Sequence, residues 1–204
     1  MPRIDIPRKS IYRLSIYQRC LSKLKENDVD TVSSEALAKA AGVKPTQLRK
    51  DLTYFGQFGT RGLGYNVEAL SSTIAQVLGQ NHLQPVILVG VGNLGSALLR
   101  YGGFRKEGFE VAAAFDLSPR PQIGLSTPIL PMQDMAGFIE ANQVKMAILT
   151  VPASSAQAVT NQMVAAGIQA ILNFSPTILD VPEHVVVNSV DLAVELENLS
   201  YFIR

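Results

Sequence analysis

The stretch Val86-Ile87-Leu88-Val89-Gly90-Val91-Gly92-Asn93-Leu94-Gly95-Ser96-Ala97-Leu98-Leu99 decides the fold of the larger part of this chain. An aliphatic run without polar interruption reads as a strand buried on both faces. It passes directly into Gly90-x-Gly92-x-x-Gly95 and a helix-forming segment read over 93–101. Glycine is common in loops, so this pattern alone is weak; between a strand and a helix it is the fingerprint of a dinucleotide-binding turn. Gly90 permits the tight turn, Gly92 lets the backbone approach a pyrophosphate, and Gly95 lets the helix pack closely on the strand. Val91, Asn93 and Leu94 complete the turn, and the phosphates are expected at the positive helix N-terminus. Asp116 lies 21 residues beyond Gly95, at the end of the strand read over 111–116. There a carboxylate accepts hydrogen bonds from the adenosine ribose, and its charge repels a 2′-phosphate, which favours NAD over NADP.

Downstream the alternation continues: helix over 131–142, strand over 146–151, helix over 153–166, strand over 168–174, and a further short strand at 185–187. Apolar strands separated by helices imply a doubly wound parallel sheet covered on both faces, hence an α/β fold of the Rossmann type over 81–188. The chain closes with a helix over 189–204, where Leu192, Leu196, Leu199 and Ile203 recur at spacings of four, three and four.

Upstream of the polar stretch 80–85 the pattern differs. Ile11, Leu14, Tyr17, Leu21 and Leu24 give a helix over 7–26 one apolar face. Ser33 or Ser34 caps a short helix that Gly42 ends, and Pro45 opens another after Gly42-Val43-Lys44, the spacing of a helix-turn-helix. The glycine-spaced segment 55–65 suits a hairpin wing, and Asn66 caps a fourth helix carrying Val67, Leu70, Ile74 and Leu78. Gln47, Arg49 and Lys50 fall on the first turns of the third helix, where a recognition helix presents side chains to the major groove. Arginine and lysine pair with guanine edges and glutamine with adenine. Arg61, at the wing tip, suits a minor groove or a phosphate. A winged helix-turn-helix domain over 1–80 follows.

Charge agrees with that division. Residues 1–80 hold 12 Lys/Arg against 7 Asp/Glu, net +5, whereas 81–204 hold 6 against 10, net −4. A basic module on an acidic body suggests a polyanion partner, although a chance surface distribution gives the same totals. The single cysteine, Cys20, excludes an internal disulfide and any multi-cysteine metal site. No apolar run approaches the ~20 residues of a membrane span, and no secretory signal is read at the N-terminus, so a cytoplasmic protein is expected.

A dehydrogenase would use the same turn, yet the chain supplies little chemistry for one. His82 sits in the linker and His184 beside the last strand; no Tyr-x-x-x-Lys pair occurs, and about 16 residues after the sheet cannot form a substrate domain. No catalytic or metal-ligating set is assigned. A dehydrogenase with an N-terminal appendage and a CoA-binding module remain as alternative readings.

The segment Leu48-Arg49-Lys50-Asp51-Leu52-Thr53-Tyr54-Phe55-Gly56-Gln57-Phe58-Gly59-Thr60-Arg61-Gly62-Leu63-Gly64-Tyr65 resembles the Rex redox-sensing transcriptional repressors. So do Gly90 to Gly95, Ile148-Leu149-Thr150-Val151-Pro152, Leu172-Asn173-Phe174-Ser175-Pro176 and Val190-Asp191-Leu192. The resemblance spans essentially the whole chain. It implies a homodimer whose C-terminal helix is swapped onto the partner; from the residues alone, a helix packed on its own sheet remains open. It implies NADH and NAD competing for one site, with Thr150, Val151, Pro152, Phe174 and Tyr101 beside the glycine-rich turn, and double-stranded operator DNA with an inverted repeat as partner. It also implies that Arg19, Tyr101 and Asp191 exchange contacts as the nicotinamide changes charge, against the plainer reading of Arg19 and Asp191 as a static salt bridge.

Overall fold

Two stretches with different hydrophobic periods, separated by a polar linker, fold as two units. A computed structural model describes residues 6–56, 58–60, 63–80, 82–120 and 124–203, and the chain divides into Met1–His82 and Leu83–Arg204. The boundary falls two residues beyond the expected one.

The first unit runs α1 (Arg8–Glu26), β1 (Thr31–Val32), α2 (Ser34–Ala40), α3 (Pro45–Thr53), β2 (Gly59–Thr60), β3 (Gly64–Asn66) and α4 (Val67–Val77). Its helices begin where local chemistry satisfies free N–H groups. Ser33 Oγ accepts from Ala36 N at 3.0 Å and Asn66 Oδ1 from Ala69 N at 2.8 Å, while Pro45 in the first turn of α3 has no N–H to satisfy. Leu14, Tyr17 and Leu21 of α1 pack with Leu37 of α2, Leu48 and Leu52 of α3, and Leu70 and Ile74 of α4. The strands form a small antiparallel sheet in the order β1-β3-β2, Thr31 facing Asn66 and Thr60 facing Gly64. Helix-turn-helix and wing are therefore both present. The Arg61 assignment falls outside the described residues.

The second unit runs β4 (Gln84–Val89), α5 (Asn93–Leu99), α6 (Gly103–Lys106), β5 (Phe109–Asp116), β6 (Ile129–Pro131), α7 (Met135–Ala141), β7 (Met146–Leu149), α8 (Ala153–Ala165), β8 (Ala170–Asn173), β9 (Val186–Ser189) and α9 (Leu192–Tyr201). All six strands are parallel, in the order β6-β5-β4-β7-β8-β9. This is the doubly wound order, two three-strand halves diverging from β4 and β7. Alternation along each strand feeds two cores. Ile87, Val89 and Phe115 pack with Ile139 and Met163 on one face, and Val86, Leu88, Ala114 and Ile148 lie on the other.

Three expectations need correction. The helix read over 131–142 begins only at Met135. Ile129–Pro131 is the edge strand β6, followed by a 3-10 turn over Met132–Asp134. Three residues show no alternation, and Pro131 suits a helix start and an edge strand equally well, since neither needs its missing N–H. Helix α5 stops at Leu99, so Tyr101 lies beyond it. Strand β9 extends to Ser189, and α9 starts only at Leu192 because Asp191 caps it, Oδ1 accepting from Ala193 N at 2.9 Å.

No residue of α9 is buried; Leu192, Leu196 and Leu199 are 62%, 67% and 63% exposed. The helix is thus not packed on its own sheet. Among the described residues no helix is long and apolar enough to cross a membrane, and no group of three or more His, Cys, Asp or Glu could hold a metal ion.

Replacing Asn66 by Ala removes the cap of α4, and urea unfolding should show the first unit weakened by about 1 kcal/mol. An unchanged midpoint would mean that the cap carries no stability.

Candidate nucleotide site and nucleic-acid interface

Parallel strands deliver their loops to one edge, and the crevice lies where the order reverses, at the C-terminal ends of β4 and β7. Gly90 leaves β4 with φ +97°, a left-handed conformation, and a Cβ there would come within 2.9 Å of the Thr150 carbonyl carbon. A Cβ on Gly95 would collide with the Gly90 carbonyl oxygen. Both glycines are required by the chain itself. Gly92 differs: its φ is −74°, and a Cβ would meet no protein atom within 4 Å. Neither conformation nor packing demands glycine at 92, and a side chain there would project into open space.

Side chains from two strand ends, with one backbone bond, fix the turn. The Thr150 hydroxyl, after β7, donates to the Gly90 carbonyl at 2.6 Å, and Gly90 N donates to the Phe115 carbonyl at 2.8 Å. Asp116, the last residue of β5, accepts Val91 N on Oδ2 at 2.6 Å and Ser118 N on Oδ1 at 2.9 Å. Its carboxylate therefore organises the turn, and each oxygen keeps further acceptor capacity. Val91 is half-buried, whereas Asn93 and Leu94 are exposed on the first turn of α5.

Around the other side, Pro152 precedes α8, and Phe174 N donates to the Leu149 carbonyl at 2.8 Å. Two residues of the motif over 172–176 have roles here that the sequence does not assign. Ser175 Oγ donates to the Val151 carbonyl at 2.6 Å. Asn173, fully buried, accepts Ser175 N at 2.9 Å and donates to the Thr177 carbonyl and to Ser189 Oγ at 3.0 and 3.2 Å. A lone amide ending an apolar strand, two residues before a serine, was the available signal.

Tyr101 is exposed and meets Phe104 edge-on at 5.1 Å between ring centres. Arg19 is an exposed residue of α1 in the first unit, while Tyr101 and Asp191 belong to the second. Asp191 spends one carboxylate oxygen on capping α9. His82 and His184 are both exposed; His82 closes the first unit, and His184 precedes β9, at the end of that strand away from the glycine-rich turn.

On α3, Arg49 and Lys50 are exposed. Arg49 Nη1 donates to Ser34 Oγ at 2.8 Å and lies 3.3 Å from Glu35 Oε1, so it rests against the first turn of α2. Gln47 is half-buried, and its amide donates to Asp51 at 3.0 Å, an inward use that the base-reading assignment did not foresee. Asp51 is fully buried. Arg13 grips it through Nε and Nη2 at 2.6 and 2.7 Å, and Tyr17 donates its hydroxyl at 2.8 Å. Burial alone pushes the Asp51 carboxyl up; hydrogen bonds from Arg13, Tyr17 and Gln47 outweigh it and hold the group below the usual carboxylate range.

A family model described as "Putative DNA-binding protein N-terminus" matches residues 5–53, and one described as "CoA binding domain" matches 81–177. The redox-sensing transcriptional repressor Rex of Syntrophobacter fumaroxidans is 47% identical over 96% of this chain and 95% of its own length. The chain belongs to the Rex family.

The Rex of Streptomyces avermitilis is 46% identical over 96% of this chain and 79% of its own. RSP, a Rex-family repressor solved with β-NAD+ and operator DNA, superposes with a TM-score of 0.90 at 36% identity, covering 98% of this chain and 94% of that one. The same repressor with β-NADH gives 0.86 at 35% identity, covering 98% and 95%. Rex proteins are repressors, not enzymes, which removes the dehydrogenase reading. The match to the CoA model covers only the sheet unit, whereas the Rex likeness takes in both units.

Two predictions follow from the contrast among the glycines and from the Asp51 cluster. Gly95→Ala should destabilise the second unit by about 2 kcal/mol through overpacking, whereas Gly92→Ala should leave the unfolding temperature unchanged and weaken NADH binding about tenfold or more. Calorimetry and titration separate the two, and equal thermal losses would contradict the distinction. An aspartate with a lowered folded-state pKa gives stability that is complete above the unfolded value, about 3.9, and lost as pH falls through the folded value. Asp51→Asn should therefore weaken the first unit by about 2 kcal/mol at neutral pH and flatten its loss of stability below about pH 4. Urea unfolding across pH 2–7 checks this, and parallel curves for variant and wild type would refute it.

Proposed function

We propose that this chain is a homodimeric DNA-binding transcriptional repressor that senses the NADH/NAD ratio, leaving its inverted-repeat operator when the site at the β4–α5 turn holds NADH. The observation that carries the reading is Gly92, the one glycine of the fingerprint that neither packing nor backbone conformation of the chain requires. The residues fit a dinucleotide. Backbone N–H groups over 92–95 receive the pyrophosphate, those of Gly90 and Val91 being held by the Phe115 carbonyl and Asp116; Asp116 uses its remaining lone pairs for the ribose, and Thr150, Val151, Pro152, Phe174 and Tyr101 lie toward the nicotinamide. The oxidised ring is cationic and the reduced ring neutral, so an apolar surround favours the reduced form.

A ligand shifts a conformational equilibrium only by its differential affinity for the two states. Arg19, Tyr101 and Asp191 are the residues we assign to that difference, exchanging contacts as the ring changes charge. The apolar face of α9 goes to the partner subunit, since an isolated ten-residue helix is marginal in water and this one has no cover of its own. Arg49, Lys50 and Arg61 hold the operator, with Gln47 beside them, and the protein acts in the cytoplasm, where operator DNA and the nicotinamide pool meet.

Anisotropy of a labelled operator duplex tests the reading. Raising NADH at constant total nucleotide should release the DNA, whereas NAD or CoA should not. Asp116→Ala should shift the release to about tenfold higher NADH or beyond. DNA that stays bound at saturating NADH would overturn the proposal.

A further inference from the structure

The recognition helix carries a feature that its DNA contacts do not explain. Asp51 lies on its inner face, with no exposed surface. It receives four hydrogen bonds, two from Arg13 and one each from Tyr17 and Gln47, all between 2.6 and 3.0 Å. Arg13 in turn donates to Ser10 at 3.2 Å. A buried ion pair of this kind adds little net stability compared with apolar residues of the same volume, because desolvation offsets the attraction. What it supplies is direction. Leu48 and Leu52 also bury this face, but apolar burial has no preferred orientation, whereas a bidentate guanidinium fixes both the distance and the plane of the carboxylate.

Direction matters here because Arg49 and Lys50 stand on the exposed side of the same helix, two and one residues from Asp51. A roll of α3 by about 20° would carry a side-chain end about 6 Å from the axis through about 2 Å. That exceeds the tolerance of a hydrogen bond to a base edge.

We infer that Arg13 and Asp51 are positioning residues for operator recognition: the fork from α1 sets the roll of α3, and so decides whether Arg49 and Lys50 meet base edges in register. The inference rests on the DNA-binding reading. It separates two properties of the same interface. Phosphate attraction depends on charge and tolerates a rolled helix, whereas base readout depends on alignment.

The test uses the full chain, an operator duplex selected by the wild-type protein from a random pool, and a scrambled duplex of equal length. The double variant Arg13→Met/Asp51→Asn nearly keeps volume, leaves no unpaired charge and retains an amide oxygen to accept the buried Tyr17 hydroxyl. It should unfold near the wild-type temperature, bind scrambled DNA with unchanged affinity and salt dependence, and lose operator affinity by about tenfold or more. A folded double variant that keeps the wild-type ratio of operator to scrambled affinity overturns the inference. Should that variant fail to fold, Arg13→Lys carries the same comparison: it retains the charge but not the fork. A fallen ratio in Arg13→Lys supports the positioning role, and an unchanged ratio overturns it. Wild-type protein that selects no duplex overturns the DNA-binding reading itself, a result distinct from either.

Discussion

The second unit depends on one close approach, that of the first turn of α5 to the end of β4. With no side chain at 95, the helix backbone reaches the Gly90 carbonyl, and that same carbonyl takes the Thr150 hydroxyl from the neighbouring strand. Two strands, a turn and a helix are thereby held at one point, where the sheet reverses its order. Asp116 adds β5 through the Val91 amide. The crevice is built largely from main-chain groups held by a threonine and an aspartate, so its shape follows from the fold more than from the identity of surface residues. Preorganisation of this kind spares a ligand the ordering of a loop when it binds.

The first unit solves a different problem. A recognition helix must be seated firmly on its own domain while offering its outer face to a partner. Here an apolar inner face sets depth, and a buried carboxylate, gripped from α1, sets angle. α1 is tied in the same manner to α4, where the Gln18 amide donates to Ser71 Oγ at 3.1 Å. Directional polar links to α3 and to α4 make α1 the reference against which those two helices are placed.

What the sequence disclosed and what it hid divide along the range of the interactions. The glycine-rich turn, the long apolar strands and the caps at Ser33 and Asn66 follow from contacts within a few residues, and all were legible. β1 and β6 were not, because strands of two and three residues exist only through pairing with distant partners. The Arg13–Asp51 pair spans 38 positions, and no local pattern reports it. Gln47 was assigned to DNA from its place on the helix alone; its i,i+4 spacing to Asp51 was the available clue to its inward turn. For Asp116, spacing located the residue but not its service to the Val91 and Ser118 amides, which depends on how two strand ends lie side by side.

The placement of the two histidines has a consequence for what such a site can measure. His82 closes the first unit, and His184 stands before β9, away from the turn. Histidine is the side chain whose ordinary titration spans pH 5 to 8, and none is found among the residues assigned to the nucleotide. A detector of reducing power faces a confounding variable, since the oxidised and reduced cofactors differ by a hydride and the medium can change in acidity independently. With imidazole kept out of the crevice, a dinucleotide held there as proposed has no histidine beside its ring, and the charge of the ring itself is the difference left to read.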